Sequence, residues 1–135
     1  MLDNLQPIPE LEKKIGRAID QRGHIKDGAS PELSRVRKEI GELRKRLHAE
    51  LTEVLERQAS QKTLREKLIT IRNDRLVIPF RSDAKGALEG IVHDTSQSGA
   101  TCFVEPLSAV PLNNRLRQGR SREREEEARI LRELT

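Results

Sequence analysis

Residues 31–57 read PELSRVRKEIGELRKRLHAELTEVLER, and this segment carries the clearest structural pattern in the chain. Its apolar side chains recur at steps of 3, 4, 3, 4, 4 and 3: Leu33, Val36, Ile40, Leu43, Leu47, Leu51 and Val54. This spacing places an apolar seam along one helix, with one stutter in the heptad pattern. Ser30, Pro31 and Glu32 supply an N-cap, a first-turn proline and a first-turn acid. The sequence therefore predicts a helix of roughly 40 Å that needs a partner along its seam.

The composition favours long helices with narrow apolar seams. Only 34% of the 135 residues are hydrophobic, 36% are charged, and there are two Phe and no Tyr or Trp. Packing must therefore rely on Leu, Ile and Val. The one cysteine, Cys102, excludes an internal disulfide, and its apolar neighbours favour a small core residue over a reactive thiolate. Because no signal pattern or membrane-length apolar segment occurs, we expect a cytoplasmic protein that makes no membrane contact.

Hydrophobic periodicity and turn residues divide the chain into four predicted segments: 1–29, 30–68, 69–105 and 106–135. The first holds a short helix, from Pro9 to just before Gly23, and a loop. The second holds the long helix and then a short helix to Lys67. The third holds a small antiparallel sheet. The fourth starts a second long helix whose apolar pattern is unfinished, which suggests truncation from a longer chain. The predicted class is α+β, mostly helical, with the sheet inserted between long antiparallel helices.

The sheet is predicted from a change to period two and from frequent β-branched residues. Its four strands are expected at residues 69–72, 75–81, 88–95 and 101–104, with turns at 73–74, 84–86 and 96–99. Pro79 cannot donate a ladder hydrogen bond, so we expect its strand to lie at an edge or to bend there.

The chain lacks the motifs of several enzyme classes. It contains no G-x-x-x-x-G-K-[ST] phosphate loop, so this segment alone is not expected to bind ATP. The three histidines lie in different predicted elements, which argues against a structural zinc site. His93 and Asp94 are neighbours on a strand and point to opposite faces, which disfavours a hydrolase triad. We therefore predict no catalytic residue and interpret Asp94, Ser96, Ser98 and Gly99 as a polar turn.

A basic stretch is the best candidate for a binding function. It comprises Arg115, Arg117, Arg120, Arg122 and Arg124, and helical spacing places Arg117, Arg120 and Arg124 near one face. Arg44, Lys45 and Arg46 on the first long helix could extend it. Such a stripe can follow phosphates, although the acids at 123 and 125–127 could equally make it an ordinary solvated face. No aromatic residue is interleaved with it, so the stretch offers no platform for base stacking.

Several motifs resemble the middle region of the bacterial MutS-two family. The matching motifs are Ile25–Asp27, Ala29–Ser30, Glu32–Leu33, Thr70–Arg75, Val77–Pro79, Gly90–Asp94, Ser96, Ser98–Thr101, Phe103, Glu105–Pro106 and Asn113–Leu116. The resemblance covers residues from about Ile15 to the C-terminus. It implies the lower core, a small sheet and the start of two lever-type helices. The family's matching polar residues are then expected to fix the sheet against the levers: His93, Asp94, Ser96, Ser98, Gly99 and Thr101.

For a longer parent protein, the resemblance implies an ATPase that uses ATP and Mg²⁺, homodimerises and usually carries an Smr-type endonuclease domain. It also implies suppression of homologous recombination through branched DNA and, in some bacteria, rescue of collided ribosomes. Our leading hypothesis is a segment that links the ATPase to a DNA clamp and makes nonspecific phosphate contacts. The alternatives are a purely structural coiled-coil module for dimerisation or protein contact, and a contact with ribosomal RNA. The sequence does not separate them.

Overall fold

The computed structural model describes residues 19–20, 24–59 and 62–134, which contain two helices and one four-stranded sheet. The helices are α1, Pro31–Ala59, and α2, Val110–Leu134. The strands are β1, Thr70–Arg72; β2, Arg75–Arg81; β3, Gly90–Thr95; and β4, Thr101–Pro106. The chain divides into two compact units. The terminal unit comprises Met1–Gly41 and Gln118–Thr135, and the sheet unit comprises Glu42–Arg117.

Helix α1 confirms the predicted cap and seam. The Leu33 amide donates a hydrogen bond of 3.0 Å to Ser30 Oγ, as an N-cap requires, and the helix begins at Pro31. The helix continues two residues beyond the predicted Arg57. All seven seam residues are buried. Since the chain itself buries the seam, α1 needs no outside partner helix to cover it.

In the terminal unit the two helices pair antiparallel. Near the start of α1, Leu33 belongs to an apolar cluster with Ile130 and Ile25. Further along α1, Ile40 lies against Gly119 of α2, where an added Cβ would stand 3.1 Å from Ile40 Cγ1. From the first contact to the second, the residue number rises along α1 and falls along α2, so the two helices run antiparallel. The absence of a side chain at Gly119 permits the close approach to Ile40.

The N-terminal helix predicted up to Gly23 is wrong at residues 19–20, the part of it that the structure describes. Ile19 forms an isolated antiparallel bridge with Ile25, and the Asp20 amide donates to the His24 carbonyl at 2.7 Å. The Asp20 carboxylate also accepts the His24 amide at 3.0 Å, a local bond that favours a reversal over a helix. The remainder of that predicted helix, together with Gly23, lies outside the described residues.

The sheet has the order β1-β2-β4-β3, and every neighbouring pair is antiparallel. Its strands confirm the predicted ones to within two residues at each end. The turn between β1 and β2 consists of Asn73 and Asp74, with φ values of 54° and 61°. Both residues therefore adopt the positive φ that a two-residue hairpin of right-handed twist requires. Between β2 and β3 the chain forms a 3-10 segment over Ser82–Ala87, longer than the predicted turn.

Pro79 was predicted to mark either an edge strand or a bend, and the edge alternative is wrong because β2 is a central strand. Pro79 pairs with Phe103 of β4, while β1 pairs with β2 only as far as Val77. On the β1 side the Pro79 carbonyl accepts the Arg65 amide at 3.0 Å. In an antiparallel strand the N–H and the carbonyl of one residue point to the same side, so the N–H that proline lacks would also face the β1 side, beyond the end of β1. A proline is tolerated there because the regular ladder has already stopped.

The short helix predicted up to Lys67 is absent. Leu64 instead forms an isolated antiparallel bridge with Phe80, and the Arg81 amide donates to the Thr63 carbonyl at 2.9 Å. Residues 63–65 thus use their backbone groups to cover the part of β2 that β1 leaves open. This long-range pairing outweighs the helical preference of the local sequence.

Candidate nucleic-acid interface and a buried charge network

The sheet unit contains a buried carboxylate, that of Glu105, whose side chain is fully inaccessible to solvent. Arg75 donates to it in a bidentate geometry, with Nε 3.1 Å from Oε1 and Nη2 2.5 Å from Oε2. The Arg75 side chain is itself only 8% exposed. A buried ion pair of this kind is retained only when its remaining polar atoms are also bonded.

A β-bulge brings His93 to the same carboxylate. The register of β3 against β4 shifts between Val92 and Asp94, which makes His93 the extra residue. Its Nε2 lies 2.6 Å from Glu105 Oε1, and because an ionised carboxylate only accepts, the imidazole donates. His93 is thereby joined to Glu105 rather than to Asp94.

Asn113 ties the first turn of α2 to this network. Its Nδ2 donates to Glu105 Oε2 at 2.8 Å and to the Leu76 carbonyl at 3.2 Å. Its Oδ1 accepts the Leu76 amide at 3.1 Å, so the side-chain amide pairs with β2 as a short strand would. Next to it, Asn114 Oδ1 accepts a hydrogen bond of 2.8 Å from Arg75 Nη1. Among the described residues no buried side-chain polar atom lacks a partner.

The electrostatics favour the ionised form of Glu105. Burial by itself raises the pKa of this carboxyl group, but the hydrogen bonds from Arg75 and His93 outweigh it and hold the pKa below its ordinary value. The carboxylate is therefore charged at neutral pH, and four elements meet at it: β2, β3, β4 and α2. The network fixes the first turn of α2 on the sheet.

The polar residues of the β3–β4 turn make local bonds. Asp94 Oδ1 accepts the Thr95 amide at 2.8 Å, and Asp94 Oδ2 lies 3.5 Å from Arg72 Nε. Ser96 Oγ accepts the Thr101 amide at 3.1 Å. Ser98 Oγ accepts the Ala100 amide at 3.3 Å, and Gly99 has a φ of 77° that favours glycine. Within the described residues, the side chains of His93 and Asp94 form no hydrogen bond or ion pair with each other.

In the terminal unit the apolar-free part of α2 meets α1 through charged side chains. Arg37 of α1 donates through Nε to Glu123 at 2.9 Å and through Nη1 to Asp27 at 2.6 Å. The loss of hydration lowers the pKa of Arg37, but the bonds to Asp27 and Glu123 outweigh that effect and raise it. Arg122 also forms an ion pair with Glu39, at 3.0 Å. The sequence did not indicate what the apolar-free part of α2 packs against. In the terminal unit it contacts α1.

The cap of α1 is part of the same system. Ser30 Oγ donates to Glu126 Oε2 at 2.6 Å while it accepts the Leu33 amide. Arg129 donates to Glu126 from both Nε and Nη2 at 2.6 Å. The hydrogen bond from Arg129, followed by that from Ser30, lowers the pKa of Glu126 to about 2. A single carboxylate therefore joins the two helices at the start of α1.

The sequence-predicted basic residues differ in their surroundings. Six are exposed and have no hydrogen bond or ion pair to the described residues: Arg44, Lys45, Arg46, Arg115, Arg117 and Arg124. Arg120 is half-buried, also without such a partner, and Arg122 is paired with Glu39. Of the six exposed cations, Arg124 lies in the terminal unit and the other five lie in the sheet unit. These six cations, named here the unpaired set, can approach an anion without breaking an internal ion pair.

Sequence reasoning missed the network at Glu105. The signal that could have found it is a lone charge in an apolar strand, because Glu105 is the only charged residue between Cys102 and Asn114. A charge at such a position requires a buried partner. Choosing Arg75 as that partner required the strand register.

The described residues contain no group of three or more His, Cys, Asp or Glu side chains that could hold a metal ion. No described helix is both long and apolar enough to cross a membrane.

Comparison with known proteins identifies the relatives of the chain. No protein-family model matches it. Proteins named endonuclease MutS2 do: the chain is 45% identical to that of Geobacillus thermodenitrificans (strain NG80-2) over 133 residues and 46% identical to that of Geobacillus kaustophilus (strain HTA426) over 128 residues. The alignments cover 98% and 95% of this chain but span only 17% and 16% of the relatives' lengths. The chain therefore belongs to the MutS2 family, as the counterpart of one segment of those longer proteins.

Proposed function

We propose that this chain is the core and lever segment of a MutS2 protein and that it contacts nucleic-acid phosphates without reading their sequence. The observation that carries the proposal is the unpaired set, whose six cationic side chains are exposed and unneutralised by described residues. Some exposed cations outside the set do have local acids, as Arg35 has Glu32 and Arg81 has Asp83. An unpaired cation at the surface binds phosphate mainly by releasing condensed counterions.

Rigidity supports a lever role. The side chains of Arg75, His93 and Asn113 converge on Glu105 and join α2 to three strands within the sheet unit. In the terminal unit, ion pairs and a shared carboxylate join α1 to α2. Within each unit, elements joined in this way should move together, as transmission of a conformational change requires.

For the longer protein, the relatives' name suggests an endonuclease. The family resemblance extends the proposal to an ATPase that uses ATP and Mg²⁺ outside this segment, to dimerisation, and to roles in recombination or at the ribosome. This segment contributes no catalytic group in our proposal. Its function is to connect the nucleotide-dependent part to the part that holds DNA.

The test is a salt titration of duplex binding by the chain. The affinity for a short DNA duplex is measured by fluorescence anisotropy across a series of salt concentrations. For B-DNA the slope of log K against log salt is about −0.9 per phosphate contact. Replacing Arg115, Arg117 and Arg124 with Gln should therefore make the slope less negative by about 2.7 if all three make contacts.

A matched control removes paired cations. Arg35→Gln and Arg81→Gln also remove exposed charges, but each of these guanidinium groups already has a carboxylate partner. We expect the double control to leave the slope nearly unchanged. An equal change of slope per removed charge in both variants would mean that only net charge matters. If the wild-type chain does not bind the duplex, the segment has a purely structural role.

The same assay addresses ribosomal RNA. Phosphates of an RNA hairpin offer the same chemistry, so a parallel series with RNA measures which nucleic acid binds more tightly at one salt concentration. The proposal of DNA as the physiological partner requires duplex DNA to bind at least as tightly.

A further inference from the structure

A groove of about 320 Å³ lies in the sheet unit, and no member of the unpaired set lines it. Its floor includes Phe103 of β4 and Pro79 of β2, and its rim includes Arg65. Ligand pockets run from about 300 to 1,000 Å³, so this volume suits one small group rather than a long segment.

The groove contains a planar cation held against an aromatic ring. The guanidinium carbon of Arg72 lies 4.1 Å from the centroid of the Phe103 ring, over its face. Arg72 Nη1 donates to Thr70 Oγ1 at 3.1 Å and to the Ile71 carbonyl at 2.8 Å, and its Nε lies 3.5 Å from Asp94 Oδ2. Four contacts therefore fix the plane of this guanidinium.

The Arg72 side chain is nevertheless 38% exposed. Its Nη2 has no hydrogen-bond partner among the described residues. One face of the guanidinium is on the ring, so a second planar group would stack on the opposite face. Arginine planes and aromatic rings are the platforms on which unpaired bases stack, and such stacking tolerates any base.

Polar groups suited to the rest of a nucleotide surround this platform. The hydroxyls of Thr70, Thr101 and Ser96 line the groove and can donate to a base edge or a sugar. Arg65 is exposed at the rim, where it can meet a phosphate, while Glu66 beside it disfavours a second anion. The groove thus offers a stacking surface, hydroxyls and one free cation.

We propose that this groove binds one unpaired nucleotide of a single strand, with its base on the Arg72 guanidinium and its phosphate at Arg65. The site goes beyond the proposed contacts of the unpaired set, because it uses different residues and requires an unstacked base. A nucleic acid with frayed or branched ends would then be held at two places by different chemistry.

The experiment uses the 135-residue chain and a short oligothymidylate carrying one central 2-aminopurine. The fluorescence of 2-aminopurine falls on stacking, and the chain has no Trp or Tyr to interfere. DNA and RNA versions of the probe are titrated separately, with a fully paired duplex as the control. We expect quenching by both single strands and none by the duplex.

Two variants test the platform, and each is first checked for an unchanged thermal unfolding profile. Arg72→Lys keeps the charge but loses the plane, and Phe103→Leu keeps an apolar side chain but loses the ring. Each should weaken single-strand binding by about 5- to 150-fold, the range reported for loss of one base-stacking side chain. Both variants should retain the duplex salt slope of the wild type, which separates this proposal from the preceding one.

Two neighbouring cations provide the matched pair for the phosphate. Arg65 lines the groove, whereas Lys67 is equally exposed but does not line it. Arg65→Gln should weaken single-strand binding and Lys67→Gln should not. Absence of quenching with the wild-type chain would overturn the proposal, as would unchanged binding by folded Arg72→Lys and Phe103→Leu chains.

Discussion

Loss of the Glu105 charge should cost the chain a large part of its stability. Glu105→Gln keeps the shape of the side chain but removes the carboxylate that three side chains share. Arg75 would then remain 92% buried, since its side chain is 8% exposed, without a counter-charge. Breaking a buried pair by removing one partner costs about 3–5 kcal/mol. A domain has only about 5–15 kcal/mol in total.

The assay is urea unfolding followed by far-UV circular dichroism at neutral pH, with a thermal melt as a second readout. At about 4 °C per kcal/mol for a chain of this size, the melting temperature should fall by about 12–20 °C. Glu89→Gln is the control, because Glu89 is exposed just before β3 and its replacement should change stability by about 0.5 kcal/mol or less.

A double-mutant cycle identifies the cause. Arg75→Met should cost several kcal/mol in the wild-type chain but much less in the Glu105→Gln chain, because its partner is already gone. A loss below about 1 kcal/mol for Glu105→Gln, or additive losses in the cycle, would refute the reasoning that this pair is a buried and coupled ion pair.

Three further predictions concern backbone space and acid stability. Gly41→Ala should raise the free energy of unfolding by about 0.5–1 kcal/mol in urea titrations, because the residue is inside α1 and an added Cβ meets nothing within 4 Å. Gly90→Ala should lower it by about 1–3 kcal/mol, since the Cβ would lie 2.5 Å from the Glu105 carbonyl oxygen; an unchanged midpoint would contradict this close approach. The bond from Arg129 helps to lower the pKa of Glu126 to about 2. The ionised Glu126 therefore stabilises the fold fully above the unfolded pKa of about 4.3, and this stabilisation is lost as the pH falls towards 2. Glu126→Gln should therefore flatten the decline of stability between those pH values, and an equally steep decline would count against the assignment.

Features specified by neighbouring residues could be predicted from the sequence. The seam and cap of α1 depend on spacing and on Ser30, and both are local. The predicted limits of β1 and β2 agreed closely with the observed ones, because Asn73 and Asp74 tolerate the positive φ of a tight turn. Helix α2 was predicted as well, although its apolar-free part gave no indication that α1 was its partner in the terminal unit.

Features that depend on long-range pairing could not be predicted. Pro79 was expected at an edge or a bend, because a residue's own chemistry does not reveal where its neighbouring strand stops. The network at Glu105 joins residues 30 positions apart, through a bulge that only the register discloses. Arg122 belonged to the predicted basic stretch, yet its partner Glu39 lies 83 positions away. Sequence therefore indicated which side chains carry charge, and the fold determined which of them are left unpaired.

The most direct test of the central claim is a map of amide chemical-shift changes in the ¹⁵N-labelled chain as a short DNA duplex is added at low salt. The account predicts that the shifts cluster at residues 44–46 and 115–117, where the sheet unit carries five members of the unpaired set. It predicts little change at Arg35 and Arg81, which are paired. Shifts spread evenly over paired and unpaired cations, or absent from both helices, would contradict it.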